Sequence, residues 1–125
     1  MTVDKVVDAS AIAAFIFNES QGTAVQAQLV GATLHAPALI DVEMASICLK
    51  KIRAAIDPRD VILKMYAAYG SAVIQREAVM MTEVIALAER TGLSAYDACY
   101  LWLARHLGAE LVTLDEKLGK AAARP

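Results

Sequence analysis

Two acidic residues of this chain stand directly after short apolar runs. Asp8 follows Val6 and Val7, and Asp115 follows the run Leu111–Leu114. Each aspartate precedes a helical pattern, so each is predicted at the carboxyl end of a strand, where ligands of parallel sheets bind. Capping of the next helix is the commoner role of one such aspartate. These two aspartates therefore indicate a site only if further acids accompany them.

Asp97 lies in the first turn of a predicted helix that is apolar almost all the way round. Such a helix is largely buried, so a carboxylate on it requires an explanation. Ser94 and Asp97 match the S-x-x-[DE] pattern of a capping box, which is the structural explanation. That role engages part of the carboxylate and is compatible with a second role in a site.

Glu43 is the fourth acid, on a helix predicted over Leu39–Ile52. It shares a polar stripe with Ser46 and Lys50, and simple exposure to solvent would also explain that stripe. Asp41 projects away from the stripe and is expected to interact with the helix dipole.

Four carboxylates gathered at one edge of a sheet would repel one another unless a cation neutralised them. Oxygen ligands suit Mg²⁺ or Mn²⁺, and such sites typically activate water against phosphodiesters. His35 and His106 stand alone, so no zinc cluster is visible. The sequence contains no G-x-S-x-G elbow, no P-loop and no G-x-G-x-x-G loop.

The elements that must position these acids alternate between short apolar strands and helices. This order predicts an α/β fold with a mostly parallel sheet covered by helices. Strands are expected at Val3–Asp8, Leu34–Ala36, Val73–Gln75 and Leu111–Leu114. Helices are expected at Ala11–Phe17 with Ser10 as N-cap, Thr23–Val30, Leu39–Ile52, from Asp57-Pro58 to Tyr69, Thr82–Thr91, Ser94–Leu107 and Glu116–Ala123.

The bulk properties are those of one domain covering residues 1–125. Apolar residues make up 58% and the mean hydropathy is +0.45, a surplus that predicts an oligomer or a bound partner. No apolar run is long enough for a membrane span and no signal peptide is visible, so a cytoplasmic location is expected. Cys48 and Cys99 are expected to be buried and reduced. The net charge of −2 reflects a near balance of basic and acidic residues and gives no sign of a polybasic nucleic-acid surface, but bound metal ions can supply positive charge instead.

Three segments of the chain resemble the PIN-domain family, and most of all the VapC-type toxin ribonucleases of toxin–antitoxin pairs. The segments read VVDASAIAAFIFNES, PALIDVEMAS and LSAYDACYLWLARHLGAELVTLDEKL. The third is the most specific and the first the least, and Arg53–Thr91 carries no family motif. Residue by residue, the resemblance assigns the four acids of the family site to Asp8, Glu43, Asp97 and Asp115.

The resemblance implies a three-layer α/β/α domain and a Mg²⁺-dependent endoribonuclease, with Mn²⁺ as the other candidate ion. Asp8, Asp97 and Asp115 would hold the metal, and Glu43 would be a further ligand or would position the attacking water. Thr113 and Ser10 would orient these ligands or hydrogen-bond the phosphate, although N-capping fully explains Ser10. Lys50, Arg53 and Arg105 are candidate contacts to the RNA backbone, for which ordinary surface charge is the simpler explanation. The resemblance also implies a homodimer and a cognate antitoxin.

Other functions stay open at this point. A binding module could keep the fold with weak metal affinity, and a DNA nuclease could use the same acids. A haloacid-dehalogenase-like phosphatase would need D-x-D after the first strand, where Asp8-Ala9-Ser10 has serine. A receiver-like domain would need an acidic pair there and a phospho-acceptor aspartate on a later strand, and neither is convincingly present.

Overall fold

The computed structural model describes residues 2–124, and within them the predicted α/β fold is confirmed. Four strands form one parallel sheet in the order β3-β2-β1-β4. The elements in chain order are β1 (Val3–Val7), α1 (Ala9–Ile16), α2 (Gly22–Leu29), β2 (Ala32–Pro37), α3 (Ile40–Ala54), α4 (Arg59–Gly70), β3 (Ile74–Glu77), α5 (Met81–Thr91), α6 (Ala95–Leu107), β4 (Glu110–Val112) and α7 (Glu116–Ala123).

The reversal of strand order after β3 produces the three layers. The chain crosses from β1 to β2 to β3 in one direction and then returns past β1 to β4. Because such crossovers are right-handed, helices before and after the reversal cover opposite faces of the sheet. Accordingly, α1–α4 pack among themselves, while α6 packs against α5, α7 and strands β1, β2 and β4. The β1–β4 junction lies at the reversal, where open parallel sheets place their ligand sites.

The first helix begins two residues earlier than its sequence predicts. Asp8, rather than Ser10, is the N-cap, and its Oδ1 accepts a hydrogen bond of 3.0 Å from the Ala11 backbone N–H. Ser10 lies inside α1, so its predicted capping role is wrong. Both residues favour helix starts, and propensity alone does not decide between them.

The last strand is shorter than predicted, because β4 ends at Val112 and not at Leu114. The backbone N–H groups of Leu114 and Asp115 bond to side chains instead of continuing the ladder. Leu114 N–H donates to Ser10 Oγ over 3.0 Å, and Asp115 N–H donates to Thr113 Oγ1 over 3.0 Å. Strand β2 extends beyond both of its predicted bounds, because it pairs on both sides, whereas β3 begins one residue later and ends two residues later than predicted.

No helix in residues 2–124 is long and apolar enough to cross a membrane. Cys48 and Cys99 are buried and unpaired within the same residues, as predicted.

The start of α3 is held by a cluster of polar side chains around Asp41. Its Oδ1 accepts hydrogen bonds from Tyr69 Oη over 2.7 Å and from the Arg76 guanidinium over 2.8 Å, and Arg76 Nε donates to Oδ2 over 3.3 Å. Asp41 lies in the first turn, where the helix dipole acts, but its main partners are these two side chains. The cluster ties α3 to α4 and β3, and α3 carries Glu43.

Substitution of Asp41 is expected to loosen this anchor. Hydrogen bonds from Arg76 and then Tyr69 lower the pKa of Asp41, so its stabilisation is complete above the unfolded value of 3.8 and is lost as the pH falls through the lower folded value. We expect Asp41→Asn to reduce the free energy of urea unfolding by about 1 kcal/mol at neutral pH, since the pair is half-exposed. The difference from wild type should shrink below about pH 3. Asp57→Asn is the control; equal losses in both variants would contradict the assignment.

Candidate active site

Asp8 is the innermost acid of the site and is only 4% exposed. It follows β1, the strand next to β4, and both its oxygens are hydrogen-bonded. Oδ1 accepts from Ser10 Oγ over 2.7 Å in addition to the Ala11 N–H, and Oδ2 accepts from Thr113 Oγ1 over 2.5 Å. Thr113 and Ser10 are therefore the side chains that hydrogen-bond and orient Asp8.

Asp115 begins α7 and has one oxygen engaged by its own helix. Its Oδ1 accepts a hydrogen bond of 2.8 Å from the Leu118 N–H, which makes Asp115 the N-cap of α7. The side chain is exposed and also lines the same cleft as Asp8. Capping and a position in the site therefore coexist.

Asp97 sits one turn into α6, where only half of the predicted capping box forms. Ser94 Oγ accepts a hydrogen bond of 3.1 Å from the Asp97 N–H. Within residues 2–124, the Asp97 carboxylate accepts no hydrogen bond from the Ser94 N–H, which would be the second bond of the box. The carboxylate lines the cleft instead.

Glu43 enters the cleft from α3, and Tyr100 holds it there. Tyr100 Oη donates a hydrogen bond of 2.5 Å to Glu43 Oε1, although the tyrosine is only 1% exposed. The polar stripe predicted on this helix faces the cleft, since Ser46 and Lys50 line it as well.

The four predicted acids thus meet in one cleft of about 250 Å³ at the carboxyl ends of β1 and β4. Ser10 also lines it, and Thr113 reaches it through its hydrogen bond to Asp8. Of the three predicted backbone contacts, Lys50 lies in the cleft, whereas Arg53 and Arg105 do not line it.

Burial and mutual repulsion raise the pKa values of three of these carboxyl groups. Burial is the largest cause of the raised pKa of Asp8, and the charge of Asp115 also raises it. Hydrogen bonds from Thr113, Ser10 and Ala11 lower this pKa, but they do not outweigh burial. Burial also raises the pKa of Glu43, with further increases from the charges of Asp97 and Asp8, whereas the Tyr100 hydrogen bond lowers it.

The pKa of Asp97 is raised first by burial and then by the charges of Asp115 and Asp8, while Lys117 lowers it. The charges of Asp8, Asp97 and Asp115 therefore each raise the pKa of at least one other acid of the cleft. The cleft concentrates negative charge in a partly dehydrated place, which favours protonation or the binding of a cation.

The donor atoms of the cleft fit a hard divalent cation. They are carboxylate oxygens, with hydroxyl groups behind them, and this set suits Mg²⁺ or Mn²⁺ rather than zinc. In residues 2–124, no three Asp, Glu, His or Cys side chains stand close enough to form a complete ligand group.

Tyr100 is a residue of the cleft that the sequence analysis missed. Its place in the apolar pattern of α6 marks it as a core residue, which it also is. The available signal was its position three residues after Asp97, since residues at i and i+3 share one face of a helix.

Removing one charge from the cleft should stabilise the metal-free protein. A carboxyl group whose pKa is raised on folding destabilises the folded state above that pKa, and the penalty disappears as the pH falls below the unfolded value. We expect Asp97→Asn to raise Tm by roughly 3–5 °C at neutral pH in EDTA, the change that about 1 kcal/mol produces in a domain of this size. The gain should vanish near pH 3, below the ordinary aspartate pKa of 3.8.

The matched control is Asp60→Asn, which removes an aspartate from the first turn of α4, outside the cleft. The Tm of this variant should equal that of wild type or be slightly lower. A lower Tm in Asp97→Asn would show that its charge contributes to the fold rather than opposing it.

Comparison with known proteins agrees with this geometry. The family model for the PIN domain matches residues 5–124. Ribonuclease VapC9 of Mycobacterium tuberculosis and a VapC ribonuclease of Mycobacterium bovis are each 40% identical over 122 residues, covering 90% of this chain and 87% of theirs. Ribonuclease VapC3 of Pyrobaculum aerophilum is 30% identical over 120 residues, covering 92% of both chains.

Solved structures show the same fold. The protein PAE2754 of Pyrobaculum aerophilum superposes with a TM-score of 0.78 at 25% identity, over 98% of this chain and 89% of that one. VapC20 of Mycobacterium tuberculosis, described as a toxin that cleaves the sarcin–ricin loop, superposes with a TM-score of 0.66 at 16% identity, over 97% and 99%. With a family model that spans almost the whole chain and VapC ribonucleases among its relatives, this protein belongs to the PIN domain family.

Proposed function

We propose that this protein is a Mg²⁺-dependent endoribonuclease and the toxin component of a toxin–antitoxin pair. The observation that carries the proposal is the convergence of Asp8, Glu43, Asp97 and Asp115 in one cleft, with raised pKa values in three of them. The 40% identity to VapC ribonucleases supports RNA as the substrate.

Asp8, Asp97 and Asp115 would hold the metal in this proposal. When bound, a divalent cation lowers the pKa of a coordinated water and offsets charge on the scissile phosphate. Asp8 is already oriented for such a role by Ser10 and Thr113, because both hydroxyl groups donate to its oxygens and leave it little rotational freedom. One Asp115 oxygen accepts from Leu118, and the other is the one available to a ligand.

Glu43 lies on the opposite wall, on α3. Because Tyr100 fixes one of its oxygens, the other is the one that can accept a hydrogen bond from the attacking water. Lys50, two turns further along the same helix, brings a positive charge to the mouth of the cleft. Together these groups position a water and a phosphate with no protein nucleophile.

An antitoxin and a second copy of the chain are the proposed protein partners. Several large apolar side chains on and after α3 are exposed, including Val42 at 73% and Ile56 at 85%. Large apolar side chains exposed along one helix are a feature of many protein interfaces. Mn²⁺ is the alternative metal, since it accepts the same oxygen ligands.

The decisive experiment compares wild type and Asp97→Asn on single-stranded RNA, structured RNA and matched DNA, with Mg²⁺ or EDTA. We expect RNA cleavage that requires Mg²⁺ and falls at least about 10²-fold in the variant, the scale on which electrostatic groups of an active site act. The higher Tm expected for the same variant separates lost chemistry from lost folding. Cleavage of DNA alone would establish a DNA nuclease, and folded protein without cleavage of any substrate would favour a binding module.

Loss of the Tyr100 hydroxyl should weaken cleavage without disrupting the core. We expect Tyr100→Phe to lower kcat roughly tenfold, the lower end of the effect of removing a group that orients an active-site ligand. Its Tm should stay close to that of wild type, because the ring is retained. Tyr66→Phe, on α4 and outside the cleft, is the control, and unchanged kcat in Tyr100→Phe would refute a positioning role.

A further inference from the structure

A second cavity of about 430 Å³ adjoins the acidic cleft. Ser10, Ile47 and Lys50 line both spaces and form the wall between them. The volume lies within the roughly 300–1,000 Å³ of typical small-ligand pockets. A chain molecule that passes through the cleft can therefore extend into this cavity.

The lining of the second cavity is net positive, whereas that of the cleft is net negative. Two lysines and one glutamate line it, whereas four carboxylates line the cleft. Lys51 is partly neutralised, since its Nζ lies 3.8 Å from Glu19 Oε1 and 5.0 Å from the centre of the Phe17 ring. Lys50 is exposed, and it forms no salt bridge with any carboxylate in residues 2–124. The positive charge at the border is therefore available to an anion.

The remaining lining combines apolar surface with one polar group suited to a nucleobase. Ala13, Ala14, Ile47 and Leu114 provide an apolar wall, and Gln21 provides an amide that can both donate and accept hydrogen bonds. Gln21 is exposed and makes no capping hydrogen bond to α2, so its side chain is free to contact a ligand.

We propose that this cavity binds the nucleotide that flanks the scissile bond of a single-stranded RNA. Lys50 contacts the phosphate shared between cleft and cavity, and Gln21 contacts the edge of the base. The inference rests on the proposed ribonuclease function. It adds a subsite that would make cleavage depend on an unpaired nucleotide beside the cut.

The test measures binding of a short labelled single-stranded RNA of mixed sequence to the Asp97→Asn protein in Mg²⁺, over a range of salt concentrations. Adding Lys50→Gln should weaken binding roughly three- to tenfold at low salt and reduce the slope of log Kd against log salt by about 0.7, the value for one phosphate contact on a single strand. Adding Gln21→Ala should weaken binding and leave the slope unchanged, because no charge is lost.

Two variants serve as controls. Lys64→Gln removes an exposed lysine from α4, and Gln26→Ala truncates an exposed glutamine of α2, both outside the two cavities. Both should bind RNA as the parent does. If Lys64→Gln weakens binding as much as Lys50→Gln, the charge effect is unspecific and the subsite is refuted.

Cleavage by otherwise wild-type protein separates this inference from the function on which it rests. Gln21→Ala, at a residue that lines the second cavity and not the cleft, should raise KM for single-stranded RNA with little change in kcat. Mg²⁺-dependent cleavage with unchanged KM would refute the subsite and leave the ribonuclease standing. Absence of RNA cleavage by the wild type would refute both.

Discussion

A carboxylate buried at the end of the central strand is the constraint around which this structure is arranged. Asp8 is almost fully removed from water, and a buried charge persists only where hydrogen bonds replace its hydration. Those bonds come from α1 and from the segment after β4. Their geometry explains the early start of α1 and the early end of β4. The same residues therefore determine both the local backbone and the shape of the site.

The cleft carries a conflict between stability and chemistry. Burial and like charges oppose ionisation of Asp8, Glu43 and Asp97, yet ionised carboxylates are what a hard cation binds. The fold tolerates this because the surrounding core is well packed, and because Asp41, Tyr69 and Arg76 hold α3 from outside the cleft. Such local unfavourable energy is common where a protein is organised for a reaction rather than for maximal stability.

Much of the fold was predictable because its signals are local. The alternation of strands and helices specifies a parallel sheet, and parallel strands bring Asp8 and Asp115 to the same edge. Capping rules could not decide between Asp8 and Ser10, because the choice depends on Thr113, more than 100 positions away in the sequence. Tyr100 was hidden for a different reason. Hydrophobic patterns describe which face of a helix is buried, and they carry no information on where a buried hydroxyl group points.

The hydrogen bond between Tyr100 and Glu43 joins a core side chain of α6 to an acid on α3. The substitutions that are tolerated at one of these two positions therefore depend on the residue at the other. Phenylalanine at position 100 leaves a partly buried acid without its donor, and an apolar residue at position 43 leaves a buried hydroxyl without its acceptor. In related sequences, positions 43 and 100 should therefore change together. A relative that keeps the acid but lacks the tyrosine must orient the acid through another residue.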